Sequence, residues 1–191
     1  VDRLQDTLDE YNRAVGPGRY GTMQSLFQEK FVDAWLDRKV MWNVRPADHE
    51  TPNQALDRTW ALVDPARETL SGVIRVNTRP GQTLELSDRT LSSWKRGRAV
   101  LVVDGDCKIS NLAPRREGLL VVIARGRLAV SGHVGAALVA LSELEVTGAD
   151  TRIRGAIVAA HPPTSLAGTL EPDPRLTAGA GDLPDDEAML V

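Results

Sequence analysis

One short aliphatic theme is stated four times between Arg98 and Ala160, and it leaves the chain few folds to choose from. The copies are Val100-Leu101-Val102-Val103, Leu119-Leu120-Val121-Val122, Ala137-Leu138-Val139-Ala140 and Ala156-Ile157-Val158-Ala159. With the second residue of each as marker, the offsets are 120 − 101 = 19, 138 − 120 = 18 and 157 − 138 = 19. The first three copies are each followed by an alternating run: Cys107-Lys108-Ile109, Leu128-Ala129-Val130 and Leu144-Glu145-Val146. Each run ends at a turn signal, Ser110-Asn111, Ser131-Gly132 or Thr147-Gly148. Two short strands and two turns in a period near 19 residues match one coil of a parallel β-solenoid. In such a coil Leu144 and Val146 face inward while Glu143 and Glu145 face out, because successive strand side chains alternate. Stacking predicts that Leu101, Leu120, Leu138 and Ile157 share one column, about 4.8 Å apart. An antiparallel sandwich of similar short strands is the competing reading. The solenoid is preferred because the period spans whole two-strand units.

The fold class expected is therefore mainly β: a short parallel β-solenoid (β-helix) of about three to four coils, with an N-terminal α-helical region. Residues 1–70 read as the helical region, placed to cap the solenoid, 71–160 as the solenoid, and 161–191 as an extended or partly disordered tail. Val1, Leu4, Leu8, Tyr11 and Val15 form one apolar stripe of a first helix. A second helix is predicted from Thr22 to about Val40 along Met23, Phe27, Phe31, Ala34 and Trp35, followed by a polar connection from Asn43 to Glu50. Thr51-Pro52-Asn53-Gln54 carries a capping box with Pro at the first position, so a third helix begins there with Leu56, Trp60 and Val63 on its buried face. All four tryptophans (35, 42, 60 and 94) precede the repeat, which suggests aromatic packing in the cap and aliphatic packing in the coils. An open solenoid end exposes unpaired strand edges, and the Trp-bearing helices are expected to cover it. Val73-Ile74-Arg75-Val76 and Thr83-Leu84-Glu85-Leu86 form either the first coil or a hairpin that introduces it. In the tail, His161-Pro162-Pro163 halts the last strand, and Leu166, Leu170 and Leu176 are the expected anchors, with order up to about Leu176.

The search for chemistry yields no catalytic, cofactor-binding or metal-binding residue. Gly16-Pro17-Gly18-Arg19-Tyr20-Gly21 has the letters of a dinucleotide fingerprint, but a helix precedes it where the motif needs a strand, so it reads as a turn. His49, His133 and His161 each fall in a predicted turn, far apart in sequence. Asp48-His49-Glu50 point apart on an extended chain, and Asp104-Gly105-Asp106 lacks the rest of a calcium loop and reads as a strand-joining turn. Glu143 and Glu145 share a face, with Arg127 and Arg154 in the adjoining coils, as in an ion-paired surface ladder. The single Cys107 excludes an intrachain disulfide and reads as a small core residue. Net charge is −3 without a basic run, so nucleic acid is not implied as a partner. No run of 18 apolar residues is present, so any membrane attachment would need a segment outside these residues.

Val103-Asp104-Gly105-Asp106-Cys107-Lys108-Ile109-Ser110, Gly118-Leu119-Leu120-Val121-Val122, Leu128-Ala129-Val130-Ser131-Gly132 and Arg154-Gly155-Ala156-Ile157-Val158-Ala159 resemble the β-solenoid region of type IV pilus-associated, minor-pilin-like accessory proteins. Leu170-Glu171-Pro172-Asp173-Pro174-Arg175-Leu176 is similar to the extended segment that follows that solenoid. The resemblance covers roughly residues 98–176 and rests on structural motifs. It implies a non-enzymatic structural or assembly component of a bacterial cell-surface appendage, extracytoplasmic, with other pilus or cell-envelope proteins as partners alongside self-association. It also implies an apolar leader or anchor ahead of Val1. Ile153-Arg154-Gly155-Ala156-Ile157 resembles the bactofilins, which implies as alternative a cytoplasmic polymer-forming scaffold. A carbohydrate-active β-helix protein is a third reading; it would need carboxylates grouped on one face.

Overall fold

Continuous aliphatic runs and alternating runs end up in two different sheets. The computed structural model describes residues 40–177. The first sheet holds, in spatial order, β1 (Val40–Val44), β2 (Gly72–Val76), β4 (Arg96–Val103), β6 (Glu117–Ala124), β8 (Ala137–Ala140) and β10 (Ile157–Ala159). The second holds β3 (Thr83–Leu86), β5 (Asp106–Leu112), β7 (Leu128–Gly135) and β9 (Leu144–Arg154), with β11 (Ser165–Leu166) and β12 (Thr169–Glu171) both paired to β9. From β2 to β11 successive strands fall in alternate sheets, and every strand pairing is parallel. The antiparallel sandwich therefore does not occur. Nor do β2 and β3 form a hairpin, since each pairs along its own sheet.

Both sheets contribute to one continuous core. In the first sheet Ile74, Leu101, Val122, Leu138 and Ile157 are in register and pack in that core. This corrects the expected column by two residues: Leu101 pairs with Val122, while Leu120 lies opposite Ala99. The observed offsets are 122 − 101 = 21, 138 − 122 = 16 and 157 − 138 = 19. The spread comes from the corners. Four residues (113–116) join β5 to β6, whereas Ala136 alone joins β7 to β8. Leu120 and Val122 both face inward on β6, so either satisfies the burial requirement, and corner length selects the second. In the second sheet the columns are Leu84–Cys107–Leu128–Leu144 and Leu86–Ile109–Val130–Val146.

The turn signals at Asn111 and Gly132 bend strands without ending them. Asn111 (φ 47°), Gly132 (φ 72°) and Gly148 (φ 89°) are left-handed, a conformation Gly and Asn tolerate best. Pairing skips a residue at the first two and then resumes, so Leu112–Val134–Ile153 forms a further core column beyond the bend. His133, expected in a turn, stands instead in β7 just past this bend and is exposed.

The N-terminal end of the two sheets is closed by β1 and by α1 (Pro52–Val63). Thr51 caps α1 with the expected reciprocal box: its hydroxyl accepts from the Gln54 N–H and the Gln54 side chain accepts from the Thr51 N–H. Ala55, Leu56 and Trp60 are buried in the shared core. β3 is the last strand of its sheet, and Asn53 of α1 takes the place of a neighbouring strand. Its amide donates to the Glu85 carbonyl (2.5 Å) and accepts from the Glu85 N–H (2.9 Å). An edge that would otherwise template association is thus partly satisfied. The predicted polar connection from Asn43 is corrected in its first part: Val40–Val44 is a strand, with Asn43 opposite Arg75. The first helix, the loop 16–21 and all of the second helix before Val40 lie outside the described residues, as does the tail beyond Thr177.

Cys107 sits in the second sheet's core column. Burial, and secondarily the charge of Asp106, pushes its thiol up to about 12. A thiol reagent at mildly alkaline pH is expected to leave the native protein unmodified and to label one site per chain after denaturation. Stoichiometric labelling of the native protein would contradict this placement.

Candidate interaction face

Residues of opposite parity to the core columns face out, and the two sheets differ there. On the first sheet one outward row runs Val73–Val100–Val121–Ala137 and the next Arg75–Val102–Ile123–Val139–Val158. Asn43 and Arg75 on one row, and Arg98 in the row beside the other, interrupt a face that is otherwise aliphatic along these rows. A parallel strand that reads as a continuous hydrophobic run has apolar groups on both faces, and that is what the repeated runs encode. Val100, Val121, Ile123 and Val139 are half-buried, and Val158 is exposed. Val73 and Val102 are 3% and 1% exposed, yet neither belongs to the core cluster. On the second sheet the outward row is Glu85–Lys108–Ala129–Glu145–Ser165, beside Ser110–Ser131–Thr147. That face is polar and of mixed charge.

Ionic groups flank the aliphatic face. Asp104, at the end of β4, lies between two guanidinium groups, with Arg75 Nε at 2.7 Å and Arg125 Nη1 at 3.1 Å. The Asp104-Gly105-Asp106 turn is therefore an ion-pairing corner: its second aspartate accepts the Arg127 N–H (2.9 Å). Glu145 pairs with Arg127 as the ladder reading anticipated. Arg154 joins a different neighbourhood, in register with Glu171 and close enough to Asp173 to help lower its pKa.

The other residues weighed for chemistry are dispersed. Glu50 accepts from Arg58 (2.9 and 3.0 Å) and from the Ala47 N–H (2.9 Å). These contacts, led by the Arg58 hydrogen bond, hold its carboxyl down to about 2. Asp48 pairs with Arg79 (2.9 Å), and His49 and His161 are exposed. Among the described residues no three His, Cys, Asp or Glu side chains form a group able to hold a metal ion. A cleft of about 590 Å3 lies between α1 and residues 89–91, floored by Leu56, Trp60 and Leu91. The polar groups along its α1 side are already engaged: Gln54 in the capping box, Asn53 on Glu85 and Asp57 with Arg67 (2.6 Å).

The outward rows could have been found in the sequence, because Val100, Val102, Val121 and Ile123 stand where a one-sided strand would place polar residues. Two of the three expected tail anchors are corrected, and the side chain of the third, Leu176, lies outside the described residues. Leu166 and Leu170 are 67% and 53% exposed, and the buried residue of that segment is Asp173. No helix among the described residues is long and apolar enough to cross a membrane. Comparison with known protein families, curated proteins and solved structures returns no match.

Proposed function

We propose that this chain is a non-enzymatic structural or assembly component, wound as a short parallel β-solenoid, that engages a partner protein through the outer face of its first sheet. Alternation of the strands between two parallel sheets, with bends inside β5 and β7, supports the winding. One observation carries the binding role: partly exposed Val100, Val121, Ile123 and Val139, with exposed Val158, line the outward side of the first sheet with aliphatic groups, while the second sheet's outward side is polar. A partly exposed aliphatic row on a sheet suits protein–protein contact better than it suits a small ligand. The partner that fits is one with its own flat aliphatic surface. Following the resemblance of residues 98–176 to type IV pilus-associated proteins, we look for that partner among pilus or cell-envelope components outside the cytoplasm.

The test is a photo-crosslinking residue placed at Ile123, compared with one at Lys108 on the polar face, in the native cell. Crosslinks from position 123 to a pilus or envelope protein, absent from position 108, are the expected result. Equal capture from both faces would remove the proposed surface. Adducts formed only between copies of this chain would replace the reading with a homopolymeric scaffold.

A further inference from the structure

After β10 the chain returns along the second sheet and ends its described course in a short helical turn, α2 (Pro174–Thr177). On the way β11 and β12 cover the side of β9 that faces away from β7. The covering is polar: Ser165 and Leu166 pair with β9 at Glu145 and Val146, Thr169–Glu171 pair with it at Arg152–Arg154, and further hydrogen bonds flank these ladders. Thr164 N–H donates to the Leu144 carbonyl (2.9 Å), Ala167 N–H to the Val146 carbonyl (3.0 Å), and Gly155 N–H to the Glu171 carbonyl (2.8 Å). The segment's leucines, Leu166 and Leu170, face solvent, so apolar burial of these two side chains contributes little to holding it down.

A single arginine ties the end of this segment to the body of the protein. Arg175 Nη1 donates to three main-chain carbonyls near the start of β6: Arg115 (2.6 Å), Arg116 (3.3 Å) and Gly118 (3.0 Å). Its Nε and Nη2 grip the Asp173 carboxylate at 3.0 and 2.6 Å. Asp173 is 2% exposed, and its Oδ1 also accepts the Arg175 N–H (3.0 Å). The guanidinium hydrogen bond holds the Asp173 carboxyl below its usual range. Only a rigid guanidinium fork can bind a carboxylate in bidentate fashion and still present another nitrogen to a set of carbonyls.

We infer that Ser165–Thr177 is a releasable strap that seals the edge of β9, and that the Asp173–Arg175 clasp on the β6 entry loop is its lock. Two short strands held by backbone ladders and a polar clasp, with their leucines in solvent, open locally at lower free energy than the apolar core. Opening it exposes unpaired N–H and C=O groups of a parallel strand, the surface to which another extended segment adds. The strap thus decides whether that edge is available. This holds whether or not the first sheet's outer face binds a partner.

Hydrogen exchange on the full chain tests the inference. The reporter is the Gly155 amide, bonded to the strap at Glu171; the control is the Leu128 amide, bonded to Glu143. Arg175→Gln is expected to speed Gly155 exchange at least tenfold while Leu128 stays at its parental rate. Arg175→Lys, which keeps the charge and loses the fork, is expected to behave like Arg175→Gln. Unchanged Gly155 protection in Arg175→Gln would overturn the lock. Parallel acceleration of Gly155 and Leu128 would overturn the separable strap, and parental protection in Arg175→Lys would overturn the requirement for a fork.

Discussion

Trp60→Ala is expected to lower the unfolding free energy by about 3–5 kcal/mol, the range for removing a buried aromatic side chain. The reason lies in where Trp60 sits. It is buried in the α1 cover, in one cluster with Leu56, Leu70, Leu91 and Trp94, at the end of the stack where no further strand continues the second sheet. Its indole N–H also donates (2.7 Å) to the carbonyl of Thr69, the residue that bridges to Arg96 at the start of β4. Truncation therefore opens the core at its end and leaves a carbonyl unpaired. Trp60→Phe separates the two effects: most of the packing stays, and loss of the hydrogen-bond donor contributes about 1–3 kcal/mol. Urea unfolding followed by fluorescence of the remaining tryptophans and by circular dichroism measures both variants. A Trp60→Ala unfolding free energy within about 1 kcal/mol of the parent's would mean that α1 is not the cover.

The architecture was legible because its signals are local and repeated. Four aliphatic runs and three alternating runs specify strands, and their recurrence as pairs specifies parallel stacking rather than a meander. The capping box at Thr51 was equally legible, since a cap depends on residues three apart. Register was not. β6 offers Leu120 and Val122 on the same inward face, and nothing in a strand's own sequence says how many residues a corner absorbs. β1 was missed because its alternation, Val40-Met41-Trp42-Asn43-Val44, places exposed Met41 beside core-packed Trp42 and reads as the fraying end of a helix. The bends at Asn111 and Gly132 were seen as turns, but one left-handed residue can redirect a strand and let its ladder resume.

The candidate sites divide the same way. The outer face of the first sheet is written into the runs themselves, where aliphatics occupy both parities. The clasp is not. Asp173 and Arg175 lie in a Pro-rich stretch without periodicity, and Arg175 meets carbonyls 57 to 60 residues earlier in the chain. Hydrophobic reasoning pointed to Leu166 and Leu170 as anchors, whereas the segment is held through polar groups.

Gly135→Ala is the sharpest test of how closely β7 approaches the connection into β6. Gly135 ends β7, opposite Arg154, and a Cβ there would lie 2.5 Å from Pro114 N and nearer still to Pro114 Cα and Cβ. Proline's ring cannot rotate away, and Pro114 belongs to the four-residue connection leading into β6, so relief requires the backbone of β7 and of that connection to separate. Overpacking of this kind costs about 3 kcal/mol or slightly more, a fall in Tm of about 6–12 °C for a chain of this size. Gly81→Ala is the matched comparison. Gly81 has φ +78° with no atom within 4 Å of its would-be Cβ, so alanine there meets backbone strain and no clash. It is expected to lose only about 1–2 kcal/mol. Thermal unfolding of the two variants ranks the effects. If Gly81→Ala proved as damaging as Gly135→Ala, left-handed geometry would explain both losses, and the close approach of β7 to the Pro114 corner would not govern stability. If Gly135→Ala alone fell, contact between β7 and the Pro114 connection would be the tighter constraint, and spacing at the corners would set which core residues meet.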